Sequence, residues 1–363
     1  MIKCFSGYLL FIVLLFVSVS NSFAQGPFPN PESEKLYYKG RDLLASGQIE
    51  PAINTYQEAM NLAPEKMIIQ RDLGKAYYYA KRYDDALRVL GNVINTKDAD
   101  DQVYQLVADC KYAKGDKKRS RNTLMEGIER FPNSGLLYHE LGKYYEDEGD
   151  AEDALNVWLD GIHRASDYHI NYYETAITYM GTGHVIWAIL YGEIFVNLEQ
   201  ETLRSTEMRK MLFDAYKKLY SGNPADIAEL RATYNSNRPG FEQAVYNTYV
   251  KVGAITNEGM TTENMIILRT RFIIEWNAHY AEAYPFSLFT YQDAMIRNGD
   301  FDAYNQWFFG KSINEPEYKE WIRANREVIN RFQVFRETTP LKPLATDFYN
   351  DKDLKHLFSG KKH

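Results

Sequence analysis

Small residues recur every 34 positions through the first half of this chain. Gly40, Gly74, Ala108, Gly142 and Ala176 form one register, and Ala52, Ala86, Ser120, Ala154 and Ala188 form a second, twelve positions later. A fixed period of this size means that one small unit is copied and stacked, because a unit so short cannot bury its apolar side alone. The period therefore decides the fold of residues 33–200 and divides them into copies at 33–66, 67–100, 101–134, 135–168 and 169–200.

The first copy shows what the unit is. Ser33 stands where it can cap a helix over Lys35–Ala45, in which Leu36, Leu43 and Leu44 make an apolar stripe. Gly47-Gln48 breaks the chain. A second helix from Glu50 to Leu62 then places Ala52, Ile53, Tyr56, Ala59 and Met60 at helical spacing, and Pro64 ends it. Each helix is apolar on one side only, so the pair must stack on its neighbours. A glycine inside a helix gives up about 1 kcal/mol of propensity. The register at Gly40 thus predicts a close crossing of the two helices of a pair, with Ala52 on the facing side.

These residues resemble the tetratricopeptide repeat family, whose unit carries an aromatic, Leu-Gly, Tyr, Ala, an aromatic, Ala and Pro in order. The first copy supplies Gly40, Ala52, Tyr56, Ala59 and Pro64, and the second Leu73-Gly74, Tyr77, Ala86 and Leu90. The third holds Tyr104, Val107-Ala108, Gly115, Leu124 and Pro132, but has Lys111 at the Tyr position and Ser120 at the Ala position. The fourth is the most complete, with Tyr138, Leu141-Gly142, Tyr145, Gly149, Ala154 and Trp158. The fifth keeps Tyr172, Ala176, Tyr179, Gly183 and Ala188 and departs at Gly192. The resemblance implies an all-α protein: an α-solenoid of helix–turn–helix repeats, followed by a further helical region.

That region, 201–340, keeps helical patterning and loses the period. Ser205 or Thr206 is placed to cap a helix ending near Tyr220, and further helices are expected over 225–235, 240–254, 262–282, 286–298, 301–309 and 316–336. They either continue the solenoid as degenerate repeats or cap its end. The tail, 341–363, holds Pro343 and several charges, and its last residues are expected to be mobile.

The amino terminus reads as an address. Lys3 is the one charge before an apolar run centred on Leu9–Val17, and Ser22-Phe23-Ala24 is a small-x-small triplet. This predicts a signal peptide over 1–24 cut after Ala24, a linker over 25–32, and a periplasmic or envelope-associated mature chain with no transmembrane span. Cys4 lies before the apolar run, so the mature chain keeps Cys110 alone and forms no internal disulfide. Cys110 falls inside a repeat helix and reads as a buried structural thiol.

Composition narrows the function. The 363 residues are 45% hydrophobic and 25% charged, which suits a folded protein. Residues 25–200 carry 19 Lys and Arg against 28 Asp and Glu, while 201–363 carry 22 against 21. An acidic repeat region argues against nucleic acid. It suits a basic partner or a solvated surface. The carboxylates of Asp147–Asp153 and Asp98–Asp101 lack the alternating ligand pattern of a calcium loop and read as turns. Neither a paired metal-ligand spacing nor a phosphate-cradling glycine loop nor a nucleophile motif is present, so no enzyme, metal or cofactor is expected.

In tetratricopeptide proteins the first helix of each pair lines a groove for extended peptides or helices. Carried across by register, that face comprises Tyr37 and Arg41, then Arg71, Lys75, Tyr78 and Tyr79, then Gln105, Asp109 and Tyr112, then His139, Lys143 and Glu146, then Tyr173 and Ile177. The family's carboxylate clamp for chaperone tails is absent, with Tyr37, Arg41 and Asp72 in its Lys and Asn positions. The resemblance thus implies a scaffold or assembly factor with a protein or peptide partner. A second reading is a glycan- or peptide-capturing receptor component that uses the aromatic-rich helices after residue 200.

Overall fold

The computed structural model describes residues 28–220, 222–234 and 240–350. The expected signal peptide, the start of the linker and the last residues of the tail lie outside them. The described residues are helical, with no strand among them, and the chain divides into two compact units at Val89–Leu90.

The first unit contains α1 (Pro31–Ala45), α2 (Ile49–Leu62), α3 (Met67–Tyr79) and most of α4 (Tyr83–Gly91). α1 begins earlier than Ser33 suggests. Asn30 is its cap, accepting from the Glu32 amide at 2.8 Å, and Pro31 takes the first helical position, where a missing N–H does no harm. Ser33 is fully buried and donates to the Asn30 carbonyl at 2.7 Å.

Gly40 shows what the small register is for. A Cβ there would lie 2.7 Å from the Tyr56 ring. The glycine makes room for the residue sixteen positions on, rather than for Ala52. The second unit repeats the arrangement in its own helix pairs: α5 (Asp101–Ala113) with α6 (Lys117–Arg130), α7 (Gly135–Asp147) with α8 (Ala151–Arg164), and α9 (His169–Thr182) with α10 (Val185–Leu198). A Cβ on Gly142 would stand 2.1 Å from Trp158 Nε1. Ala108 and Leu124 stand at the same spacing and share one buried cluster, a larger small residue with a smaller large one.

A third register lies at the turns inside the pairs. Gly47, Gly115, Gly149 and Gly183 all hold φ between +76° and +85°, the left-handed turn that favours glycine. Lys81 occupies the same register in the second repeat at φ +59°. In the third repeat, the off-pattern Lys111 uses its length to donate to Thr123 Oγ1 on α6 at 2.7 Å. Cys110 is fully buried, and burial pushes its thiol up to about 12, as an inert structural cysteine requires.

The period stops at α10 for a physical reason. This helix is almost wholly apolar, and Val185–Asn197 are all buried. A second helix of a repeat has an outer face, but α10 is packed by α9, by α11 (Leu203–Tyr220), by α13 (Phe241–Val252) and by α15 (Ser287–Asn298). A Cβ on Gly192 would meet Leu212 at 2.8 Å and Met208 at 2.9 Å, so the glycine that departs from the repeat pattern admits α11. α12 (Pro224–Tyr234) and α14 (Thr262–His279) complete the layer. The helices after residue 200 thus close over the last repeat.

Their core is partly ionic. Glu193 of α10 and Arg269 of α14 pair at 2.6 Å, each with 2% of its side chain exposed. Glu193 also accepts from Tyr216 (2.8 Å) and Gln292 (2.7 Å), and Arg269 donates to Asn305. Four rings, Phe301, Tyr304, Phe308 and Phe309, surround the guanidinium at 5.1–5.6 Å. Every charge is matched, which a buried pair needs to be tolerated.

Three boundaries differ from expectation. α11 is capped at Thr202, whose hydroxyl accepts from the Ser205 amide while Ser205 Oγ accepts from the Thr202 amide (3.1 and 3.0 Å). α16 (Phe301–Asn305) runs through a π-helical turn, Gln306–Gly310, into α17 (Lys311–Ile313). The helix expected over 316–336 is two, α18 (Glu315–Ala324) and α19 (Arg326–Thr338). Asn325 separates them, its side chain donating to the Trp321 carbonyl at 2.9 Å in competition with the helix ladder. The tail up to Asn350 folds back as a strap. Ser166 donates to the Pro343 carbonyl (2.8 Å), Tyr191 to the Tyr349 carbonyl (2.6 Å), and the Tyr349 ring stacks on Phe241 at 4.1 Å.

Candidate functional site

The first helices of the repeats carry a hydrogen-bonded ladder. Tyr37 donates to Asp72 at 2.9 Å, Gln105 donates to Glu140 at 3.1 Å, and His139 Nε2 lies 3.3 Å from Glu174. Each link joins one first helix to the next across 35 residues. The acids Asp72, Glu140 and Glu174 share one register, and the residue at the same place in the third repeat is Leu106. Arg71 pairs with Asp72 beside it at 3.0 Å.

The ladder sorts the expected face into two groups. Tyr37, Arg71 and His139 spend their polar ends on neighbouring residues. Tyr37 is only 3% exposed, so it belongs to the core and not to a binding surface. One helical turn further along, several side chains reach the surface. In the first unit Arg41, Lys75 and Tyr79 line a hollow of about 390 Å³ with Asp42, Tyr56 and Asp72. Tyr79 is 48% exposed. Arg41 lies 5.8 Å from the Tyr38 ring and Lys75 5.8 Å from the Tyr79 ring. Tyr78 is half-buried and packs on Tyr79 and Tyr83.

In the second unit the same register runs Asp109, Lys143 and Ile177. Ile177 is 40% exposed, and Lys143 reaches Glu146 at 3.2 Å. Tyr112 meets Tyr144 edge-on at 6.1 Å. Tyr173 packs on Phe195 at 5.0 Å, with Arg204 5.9 Å above its ring.

Electrostatics single out one patch of the second unit's first helices. Burial, reinforced by Glu140 and opposed by His139, pushes the Asp109 carboxyl up to about 7. Burial alone would lower the His139 imidazole, but the Glu140 and Glu174 carboxylates at 3.4 and 3.3 Å outweigh it and raise it to about 9. Three acids and one imidazolium thus share a half-buried patch that holds an extra proton on Asp109. A cationic side chain brought against it would release that proton and pair with the carboxylate. The acids were legible in the sequence: Asp72, Glu140 and Glu174 keep the 34-residue spacing, and a search for charges in register would have found them.

Among the described residues no group of three His, Cys, Asp or Glu side chains is placed to hold a metal ion, and no helix is long and apolar enough to cross a membrane.

Comparison with known proteins gives the same reading of the repeats. A tetratricopeptide repeat family model matches residues 43–110. BBSome complex member BBS4 of Bos taurus is 29% identical over 125 residues, 32% of this chain and 24% of that protein, so the match spans about a quarter of the curated relative's length. Among solved structures, pilF of Pseudomonas aeruginosa is 13% identical with a TM-score of 0.43, covering 60% of this chain and 96% of that one. A thermophilic TPR protein of Thermus thermophilus is 15% identical with a TM-score of 0.42, covering 51% and 98%. The family model and the 34-residue register of helix pairs together support the tetratricopeptide repeat family for the amino-terminal half of this chain.

Proposed function

We propose that this chain is a non-catalytic protein-binding module, acting as a scaffold or assembly factor of the cell envelope and holding its partner on the first helices of its repeats. Tetratricopeptide repeats as a rule bind proteins and do not catalyse. The observation that carries the reading is the division of labour along those helices. One row of side chains is tied up in the inter-repeat ladder, and the row one turn away, Arg41, Lys75 and Tyr79 in the first unit and Lys143 and Ile177 in the second, reaches the surface, with the half-buried Asp109 beside it. Charges and aromatics so placed suit a partner segment with both apolar and charged anchors. The envelope location is supported by the apolar amino-terminal run and the Ser22-Phe23-Ala24 triplet.

The receptor reading needs an aromatic surface after residue 200. Trp276, Phe272, Phe289 and Tyr304 of that region are buried in the core, and Trp307 and Trp321 are only half-buried, so most of its large rings serve packing and the first reading is favoured. Its test is quantitative enrichment from envelope extract with the full chain and with an Arg41→Ala, Lys75→Ala, Tyr79→Ala variant. Proteins retained by the wild type and lost by the variant support the proposal. Equal retention refutes it.

A further inference from the structure

Arg209 of α11 and Arg336 of α19 both lie against the indole of Trp307, with guanidinium carbons 4.2 and 4.0 Å from its ring centre. Two like charges on one indole repel each other, and attraction to the ring does not by itself offset burying them. Arg209 is 9% exposed, and its Nε and Nη2, like Nε of Arg336, are buried without a hydrogen-bond partner. Among the described residues one carboxylate lies within ion-pair distance of either guanidinium: that of Glu201, 3.7 Å from Arg209 Nη2. Trp307 Nε1 donates to the same carboxylate at 2.6 Å. Arg336 finds only the neutral amide oxygen of Gln200.

The arrangement therefore carries two cations and one anion, and the anion sits at the surface. The Glu201 side chain is 67% exposed, and its backbone sits at φ +57°, where a side chain is disfavoured. Trp307 itself projects from the π-helical turn of Gln306–Gly310, a backbone irregularity that recurs at functional sites. We infer that Arg209, Trp307 and Arg336 form a carboxylate-binding site, with Glu201 as its internal occupant and an external carboxylate as its ligand. Guanidinium forks match the two oxygens of a carboxylate, and the indole N–H adds a third donor that already binds one here. The site lies on other helices than the first-helix face and stands independently of the function proposed for that face.

The test is calorimetric titration of the full chain with glutarate and, separately, with inorganic phosphate. Glutarate is expected to bind at one site per chain with a Kd on the order of 1 mM, more tightly than phosphate. Glu201→Gln removes the internal competitor from an exposed position and is expected to tighten glutarate by roughly three- to tenfold. Arg336→Met is expected to abolish the heat of binding, and Arg336→Lys, which keeps the charge but not the fork, to weaken it. Phosphate binding equal to or tighter than glutarate overturns the carboxylate assignment. So does glutarate binding that Glu201→Gln leaves unchanged, or the absence of saturable binding in both the wild type and Glu201→Gln.

Discussion

Gly142→Ala is a sharp test of how the repeats pack. The added Cβ would lie 2.1 Å from Trp158 Nε1 and 2.5 Å from its Cδ1, distances no real contact tolerates. Trp158 is 1% exposed and cannot swing into solvent, and its Nε1 donates to the His139 carbonyl at 3.3 Å. Overpacking of this kind costs about 1–3 kcal/mol, and loss of the indole hydrogen bond adds about 1 kcal/mol. Against this, Ala gains about 1 kcal/mol of helix propensity over Gly. The net expectation is a destabilisation of about 1–3 kcal/mol, read as a lower urea midpoint. Gly181→Ala, in α9 with nothing within 4 Å of the new Cβ, makes the same propensity change without the clash. It is expected to stabilise by about 0.5–1 kcal/mol. In a Trp158→Leu background, which recreates the Ala108–Leu124 pairing of the third repeat, Gly142→Ala should turn neutral or stabilising. The coupling between the two sites should then be about 1–3 kcal/mol. If Gly142→Ala behaves like Gly181→Ala, or the cycle shows no coupling, the size complementarity argued for the register is wrong.

Three further outcomes follow from the packing and charge. Lys81→Gly relieves a left-handed backbone (φ +59°) at an exposed turn and is expected to stabilise by about 1 kcal/mol in thermal unfolding. Glu193→Ala strands Arg269 in the core and is expected to cost about 3–5 kcal/mol, while Glu193→Gln, which keeps the hydrogen-bond acceptor, should cost less. The pH dependence has a defined sign. Asp109 holds its proton up to about 7 when folded, against 3.8 ordinarily, so the folded chain loses stability as pH rises from near 4 to about 7. His139, raised from 6.5 to about 9, contributes stability that is complete below 6.5 and is lost as pH rises through about 9. Urea midpoints should therefore fall from about pH 5 to about pH 9, and Asp109→Asn should match the wild type near pH 4 and exceed it by about 1–3 kcal/mol near pH 8.

The repeats were legible because their signal is local and repeated. Small residues at 40 and 142 mark a crossing, although they make room for the ring sixteen residues later and not for the alanine twelve later; Ala108 stands in the same relation to Leu124, and Ala176 departs, with Gly192 at that place. The caps lie a few residues earlier than the sequence suggests because Ser33 and Ser205 resemble caps while Asn30 and Thr202 do the capping. After Ala188 the sequence fell silent because α10 packs on α11, α13 and α15, whose contacts are set by chain-distant residues and leave no period. Register points to a candidate binding face, but register cannot tell a side chain that faces a partner from one that ties two repeats together. Tyr37 and His139 have the same spacing as their open neighbours, and only the positions of Asp72 and Glu174 separate them.

The central claim is that a protein partner lies on the open row of the first helices. Site-specific photo-crosslinking from Tyr79 or Ile177, with Met125 of α6 as an equally exposed control, tests it most directly. The account predicts a discrete crosslinked partner from Tyr79 or Ile177 and none from Met125. Crosslinking from Met125 alone, or to the same extent from all three, would contradict it.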